Sequence, residues 1–231
     1  QPVTARRGYF CEGKFDQLQR DTPYESVVQA FHSLLEQILT ESEAEIAVWR
    51  EALLSALGKN AQVMIDVIDD LELIIGPQEP VVHLPAVEAQ NRFNLVLRQF
   101  VRVFAQPEHP LVLFLDDLQW VDPASLSFIR RLMMDGGAGC LLIIGAYRDN
   151  EVSPSHPLML SLDEIRKSGA PVEDIVLAPL ARSDVEAFLA DTLSRDTDDV
   201  SPLAELVIRK TDGNPYFMRE FLKALYVEEQ I

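Results

Sequence analysis

The chain has 231 residues, of which 48% are hydrophobic, so it is long enough to bury the core of one large α/β domain. Its 20 basic and 37 acidic residues give a formal net charge of −17, which repels nucleic-acid phosphates and anionic membranes and excludes bulk binding to either. No apolar run approaches the roughly 20 residues that cross a bilayer, and the opening QPVTARR does not resemble a signal peptide. We expect a soluble, cytoplasmic protein, and we interpret the initial Gln1 as a cut rather than a natural start.

The first half of the chain is predicted to be mainly helical. Residues 8–11 form a short aromatic and apolar run that predicts a strand. Apolar residues then recur at intervals of three and four, which predicts one or two helices over 23–57, a further helical stretch over 60–73 and a helix over 86–104. The segment 76–85 is rich in proline and predicts a surface connection.

Two apolar runs in the middle of the chain predict a parallel sheet. LVLFLDD, residues 111–117, and CLLIIGAYRD, residues 140–149, are separated by a helical pattern over 123–134. Continuous apolar runs of this kind are typical of strands that are buried on both faces in βαβ units. Because ligands of such sheets bind at the carboxyl ends of the strands, the polar residues that end these runs are candidates for chemistry.

The last part of the chain is predicted to be a small helical subdomain. A short run at 175–177 is consistent with one more strand. Three helical patterns follow, of which the first is expected to begin at a Ser183 cap and the second to stop at Gly213. We therefore expect an α/β core over residues 1–179, with a helical insertion at about 23–105, and a helical subdomain over 180–231.

Two adjacent acids end the first apolar run. Asp116 and Asp117 follow the strand in the Walker B arrangement, in which the first carboxylate holds Mg²⁺ and the second orients or deprotonates an attacking water. The alternative is that the two acids merely cap the end of a strand at a turn. For an isolated apolar run followed by two acids, that alternative applies more often than the catalytic one.

Four stretches carry a resemblance to a known family: FLDDLQWVDPASLSFIRRL, LLIIGAYRDNEV, LAPL with the helix after it, and TDGNPYFMREFL. Together with the opening GYFCEGKFDQLQ they resemble the STAND class of P-loop ATPases, in the form found within large bacterial multidomain kinases. The resemblance extends over nearly the whole chain. It implies a P-loop NTPase-like parallel sheet with helices on both faces, followed by a C-terminal helical lid over 180–231.

The resemblance also implies roles for individual residues. Asp116 is implied to be the Mg²⁺-associated acid and Asp117 the catalytic carboxylate. Arg148 is implied to be a sensor of the terminal phosphate, with an ordinary ion pair to Asp149 as the alternative. Gly213–Asn214–Pro215 is implied to contact the nucleotide base and to couple the lid to occupancy. Its alternative is a plain helix stop followed by a turn.

The opening GYFCEGKF nearly spells a phosphate-binding loop. Gly8, Gly13 and Lys14 match the Walker A spacing, but the spacer is bulky and Phe15 stands where a Mg²⁺-binding hydroxyl is needed. The resemblance implies that this stretch is the second strand of the fold, and that the Walker A loop and the first, central strand lie upstream of the chain. We therefore expect this chain to bind ATP weakly or not at all, and a longer parent protein to bind it well.

Other side chains with chemical potential are interpreted as structural. Cys11 and Cys140 lie in apolar runs, which favours buried thiols over a disulfide or a metal site. Trp120 is interpreted as a packing residue. The histidines are dispersed without the spacing of metal ligands, which argues against zinc. They are His32, His83, His109 and His156.

The function that the resemblance implies is a nucleotide-dependent signalling switch within a larger kinase, with ATP and Mg²⁺ as cofactors. ATP binding and slow hydrolysis would move the helical lid, and flanking kinase and sensory domains, or a nucleotide-dependent oligomer, would respond. The alternative is an ATPase-like scaffold that is catalytically inactive and docks partners. A protein kinase is excluded as the activity of this chain, since the sequence contains neither HRD nor DFG.

Overall fold

A computed structural model of the protein describes residues 8–18, 22–134 and 140–228. The chain divides into two compact units, Gln1–Val172 and Glu173–Ile231. Over the described ranges, no helix combines the length and the apolar character that a membrane span requires.

The first unit contains a parallel three-stranded sheet, which confirms the α/β class. The strands are β1 (Tyr9–Lys14), β2 (Leu111–Asp116) and β3 (Leu141–Gly145), in the order β1-β2-β3. The apolar runs at 8–11, 111–117 and 140–149 each supply one of these strands, and GYFCEGKF supplies a strand rather than a loop. The carboxyl ends of β1 and β2 lie side by side, with Lys14 in register with Asp116.

Seven α-helices accompany the sheet among the described residues of this unit. They are α1 (Glu25–Leu39), α2 (Glu43–Leu57), α3 (Ala61–Ile65), α4 (Leu71–Ile75), α5 (Ala86–Phe104), α6 (Pro123–Met134) and α7 (Pro157–Lys167). The helical pattern over 23–57 proves to be two helices, because Ser42 starts α2 with a capping box that Glu45 completes. The pattern over 60–73 is likewise two short helices, α3 and α4.

The core of this unit lies among the helices and one face of the sheet. Phe31 of α1 packs edge-on against Phe100 of α5 at a centroid distance of 5.3 Å, and Phe100 packs against Phe104 at 5.0 Å. Cys11 of β1 is fully buried, and this burial raises the pKa of its thiol to about 12. Cys11 and Cys140 are both free thiols, as expected, although Cys140 is only half-buried.

The sequence predicts strands that are buried on both faces, but the other face of this sheet is partly exposed. Phe10, Leu142 and Ile144 are 45%, 55% and 41% exposed. The register places Phe10 and Leu142 on either side of Val112, so the exposed residues share one face. Among the described residues no strand pairs with the outer edge of β3. The continuous apolar runs therefore predicted the strands correctly, but they did not predict that one face of the outer strands is exposed to solvent.

The second unit contains three helices, α8 (Arg182–Leu193), α9 (Thr197–Thr211) and α10 (Pro215–Val227), around a small apolar core. The predicted cap at Ser183 is wrong: α8 begins at Arg182, and the N–H of Ala181 is bound by the Asp184 carboxylate. The strand predicted at 175–177 is absent from the described structure. No strand in the described part of the chain pairs with the backbone of this segment, and its three apolar side chains are almost fully exposed.

Candidate functional site

Two acids stand at the carboxyl end of the middle strand. Asp116 is the last residue of β2, and its Oδ1 accepts a hydrogen bond from the backbone N–H of Asp117 at 2.9 Å. Asp117 turns the chain with a left-handed backbone, at φ 53° and ψ 43°. This turn places the Asp117 carboxylate in a largely buried position, whereas the Asp116 side chain remains 40% exposed. The two neighbouring carboxylates therefore sit in different environments.

Gln119 positions the buried carboxylate, and sequence reasoning missed it. It lies in a short 3₁₀ turn, Leu118–Trp120, and is only 2% exposed. Its Nε2 donates a hydrogen bond to Asp117 Oδ1 at 2.8 Å, and its Oε1 accepts one from the backbone N–H of Arg148 at 3.2 Å. The sequence offered one signal for this role, namely an uncharged polar residue between the apolar residues that follow the two acids. A buried amide needs hydrogen-bonding partners, and the acids are the nearest ones.

Arg148 reaches the same acid from the segment after β3. Its Nε lies 3.7 Å from Asp117 Oδ1, and its terminal nitrogen lies 3.1 Å from Glu151 Oε1. Its guanidinium carbon lies 5.5 Å from the centre of the Trp120 ring, so this tryptophan does pack, but against the arginine of the site. The ion pairs of Arg148 thus join it to Asp117 and Glu151 rather than to Asp149.

Lys14 is the second cation of the site. Its Nζ lies 3.1 Å from Asp117 Oδ2 and 3.6 Å from Asp116 Oδ2, so it contacts both acids. The lysine of the near-Walker sequence therefore does lie among the candidate site residues, although it arrives on a strand. Its side chain is 66% exposed.

The glycine before this lysine has a packing role. A Cβ at Gly13 would lie 2.2 Å from the backbone oxygen of Ser26 in α1, a distance that no real side chain tolerates. The hydroxyl of Ser26 in turn donates to the backbone oxygen of Lys14 at 2.9 Å. Gly13 thus lets α1 approach β1 closely, and this contact fixes the strand end that carries Lys14.

The electrostatics of the site favour an ionised Asp117. Burial by itself raises the pKa of this carboxyl, but the hydrogen bonds from Gln119 and Lys14 and the charges of Lys14 and Arg148 outweigh it and hold the pKa below its ordinary value. The hydrogen bond and charge of Asp117, with the charge of Asp116, raise the pKa of the Lys14 ammonium. The lowered pKa of Asp117 and the raised pKa of Lys14 therefore both favour the charged forms of this pair.

The chemistry of the donor set fits Mg²⁺. Mg²⁺ prefers hard oxygen ligands, keeps most of its own waters and is bound by one or two carboxylates. Asp116 and Asp117 supply such oxygens, and an ammonium group touches both of them, which shows that their combined charge attracts a cation. Asp116, as the more exposed acid, has the better access to a hydrated ion.

Comparison with known proteins identifies the family. The AAA ATPase domain family matches residues 2–144. The chain belongs to the AAA ATPase domain family. Two curated relatives resemble it: Hybrid signal transduction histidine kinase G of Dictyostelium discoideum, 30% identical over 96% of this chain, and Histidine protein kinase 1 of Candida albicans, 22% identical over 52% of it.

The aligned part of the chain covers only a small part of these relatives. It corresponds to 8% of the length of the first and 5% of the length of the second. No solved structure matches the chain. The relatives therefore place a domain of this kind within much longer signalling proteins.

The predicted base-contacting element lies in the second unit of the chain, outside residues 2–144 that the AAA ATPase domain family matches. Gly213 has φ 73°, and a Cβ there would lie 2.7 Å from the backbone oxygen of Leu180. Asn214 caps α10 by accepting the backbone N–H groups of the second and third helical residues, and Pro215 is the first helical residue. A helix stop followed by a helix start accounts for all three residues, and their role toward a nucleotide stays a prediction.

One histidine has partners that its spacing in the sequence did not indicate. The His32 ring lies between two acids, with Nδ1 3.2 Å from Asp70 Oδ2 and Nε2 3.8 Å from Asp69 Oδ1. Each ring nitrogen therefore faces a different carboxylate. The contact links α1 to the turn before α4.

Proposed function

We propose that this AAA ATPase domain is a nucleotide-dependent switch of the STAND class, which binds and slowly hydrolyses ATP within a larger signal-transduction kinase. The observation that carries the proposal is the convergence of Asp117, Arg148 and Gln119 at the carboxyl ends of β2 and β3. Parallel sheets bind their ligands at this edge, and a carboxylate beside an arginine is what hydrolysis of a terminal phosphate needs.

Each residue has a proposed part in this reaction. Asp116 would hold Mg²⁺, which when bound neutralises phosphate charge. Asp117 would accept a hydrogen bond from the attacking water and orient it, because its lowered pKa makes it a weak base but keeps it ionised. Arg148 would respond to the terminal phosphate, and its backbone bond to Gln119 links that response to Asp117.

We propose that the second unit couples the presence of a bound nucleotide to movement of a helical lid. We infer that Gly213, Asn214 and Pro215 report the nucleotide to a helical lid formed by residues 180–231. The capped start of α10 and the tight turn at Gly213 support a stiff connection, because both restrict the backbone between α9 and α10. The core of the ATPase would then comprise residues 1–179.

The phosphate loop is proposed to come from a segment that precedes these strands in a longer protein. The open edge of β3 and the exposed side chains of Leu142 and Ile144 support this proposal, since a further strand and helix would cover them. We expect this chain alone to bind MgATP weakly or not at all.

Calorimetric titration with MgATP tests the proposal. The longer protein should bind the nucleotide tightly, and this chain alone should not. In the longer protein, Asp117→Asn should leave binding intact and remove hydrolysis. Tight binding by this chain would refute the proposed place of the phosphate loop, and hydrolysis by the Asp117→Asn variant would refute the role of Asp117.

An inactive scaffold is the second candidate, and one observation favours it. Gly13 and Lys14, the residues that match the Walker A spacing, lie in β1 and cannot wrap a phosphate. Under this reading the domain docks partners and hydrolyses nothing. Failure of the longer protein to bind MgATP would favour the scaffold over the switch.

The surroundings of the domain are also proposals. We propose flanking kinase and sensory domains on the same polypeptide, and the histidine-kinase names of the two relatives support the kinase. ATP and ADP are proposed as the exchanged ligands, which the match to the AAA ATPase domain family supports. A cytoplasmic location and a nucleotide-dependent oligomer remain predictions. Sedimentation of the longer protein with ADP and with a non-hydrolysable ATP analogue tests the oligomer.

A further inference from the structure

Lys14 is the one cation whose ammonium lies near both candidate acids among the described residues. Its Nζ is 3.1 Å from an oxygen of Asp117 and 3.6 Å from an oxygen of Asp116, whereas Arg148 contacts Asp117 but not Asp116. The proposed hydrolysis gives Lys14 no part. Its position therefore calls for an explanation of its own.

The two acids need a countercharge in the absence of metal. They are adjacent in the chain, and Asp117 is 7% exposed, so water screens its charge poorly. An ammonium that touches both carboxylates offsets this repulsion. A compact point charge such as lysine can serve two acids, whereas the planar arginine fork favours one.

The backbone of Lys14 is fixed but its side chain has room to leave. Lys14 pairs with Asp116 across the β1–β2 ladder, and Ser26 binds its backbone oxygen at 2.9 Å. Its side chain is nevertheless 66% exposed, so the ammonium can withdraw into solvent without disturbing the strand. Lys14 is therefore a cation that is held at the site by its backbone but whose ammonium can be displaced.

We propose that Lys14 is a built-in counter-cation of the Asp116–Asp117 pair, which occupies the position of the divalent metal and competes with it. The inference rests on the proposed function in one respect, namely that Asp116 and Asp117 form the metal site. Competition lowers the affinity of the empty site for free Mg²⁺, so that the metal enters together with a nucleotide, whose phosphates supply further ligands.

Binding of Mn²⁺ to this chain, without nucleotide, tests the inference. Mn²⁺ takes the same hard oxygen ligands as Mg²⁺, and its free form is measured by electron paramagnetic resonance. The variant Lys14→Met removes the charge and keeps most of the stem, and Lys14→Arg keeps a positive charge. The matched control is Lys59→Met, which removes an equal charge from an exposed turn between α2 and α3.

We expect Lys14→Met to bind Mn²⁺ about fivefold more tightly than the unchanged chain, from the strength of a partly screened charge pair. Lys14→Arg and Lys59→Met should stay close to the unchanged chain. The gain should shrink at high salt, which screens the competing charge. It should vanish in the double variant Lys14→Met with Asp116→Asn, which removes the metal-binding oxygen.

Equal affinity in Lys14→Met and the unchanged chain would overturn the inference, and so would an equal gain in Lys59→Met. Absence of Mn²⁺ binding in every variant would overturn it as well, because no metal site would exist. The switch itself is tested separately by MgATP titration of the longer protein. If Lys14→Met binds Mn²⁺ more tightly but the longer protein does not bind ATP, the role of Lys14 as a counter-cation is kept and the proposed switch is rejected.

Discussion

The amide of Gln119 donates a hydrogen bond to Asp117 Oδ1 at 2.8 Å, and both side chains are buried. Burial raises the pKa of Asp117, and this hydrogen bond is the largest of the contributions that lower it. The state of the candidate catalytic acid therefore depends on a neutral neighbour as well as on the cations.

Replacing Gln119 by leucine should raise the pKa of Asp117. The buried setting remains while the hydrogen bond is lost, so the pKa of the carboxyl should be higher than in the unchanged chain, where it is held below its ordinary value. Carbon-13 NMR of labelled aspartates measures the midpoint. Gln106→Leu, at an exposed position, is the control, and an unchanged Asp117 titration would contradict the assignment of Gln119.

The same variant should change how folding stability depends on pH. A carboxyl whose pKa is lowered in the folded state stabilises the fold above its unfolded pKa, and this stabilisation is lost as the pH falls through the folded pKa. The unchanged chain and Gln119→Leu should therefore differ in the free energy of unfolding by a part that depends on the ionisation of Asp117. This part should have its largest value at neutral pH and disappear in strong acid. Urea unfolding at pH 7 and at a series of acid pH values measures it.

Gly13→Ala should destabilise the first unit. The new methyl would collide with the Ser26 backbone oxygen, and overpacking of this kind costs about 1–3 kcal/mol in the free energy of unfolding. Urea unfolding measures the loss, with Glu12→Ala on the exposed face of the same strand as control. Unchanged stability would show that α1 does not need the close approach.

Arg148→Ala should weaken discrimination between ATP and ADP in the longer protein. Only ATP has the terminal phosphate that Arg148 is proposed to sense, so ATP affinity should fall about tenfold, equivalent to about 1.4 kcal/mol, while ADP affinity stays constant. Competition titration measures both. Arg166→Ala removes a half-buried arginine that is paired with Asp163, and it serves as control. An equal loss for both nucleotides would contradict a sensing role.

Ile144→Lys should have a small effect on the stability of this chain and a large effect on the stability of the longer protein. In this chain Ile144 is 41% exposed, so lysine should change the free energy of unfolding by less than about 0.5 kcal/mol and reduce binding of hydrophobic dyes. In the longer protein, a covered Ile144 would make the same change strongly destabilising. Leu73→Lys, at a more exposed site on α4, should be mild in both. A mild effect in both settings at Ile144 would reject the covering segment.

Local pattern predicted the elements well where one physical signal dominated. The helices over 86–104 and 123–134 have the predicted bounds, and the acids do end β2, because periodic spacing and continuous apolar runs are local signals. The strand at 175–177 was wrong because a strand also needs a partner, which composition does not supply. The hydrogen bond from Ala181 to Asp184 at the start of α8 was not predicted, because Ser183 is itself a good capping residue and was assigned the role.

The candidate site was only partly predictable. Asp116, Asp117 and Arg148 follow from strand ends, and the structure brings them together. Lys14 is about a hundred residues away in sequence, and only the β1–β2 register places it beside Asp116. Gln119 depends on a 3₁₀ turn that folds its side chain back on the acid, and no spacing rule reports such a turn.

The left-handed backbone at Asp117 determines which acid can stand there. Asp and Asn adopt this conformation far more readily than other residues with a side chain, for which it costs roughly 1–2 kcal/mol. A glutamate, although equally acidic, would strain the turn and carry its carboxylate one carbon further from Gln119. The choice of the shorter acid is thus a property of the main chain. For the same reason Asp117→Asn isolates the loss of charge, because the asparagine keeps both the length and the backbone preference of the native residue.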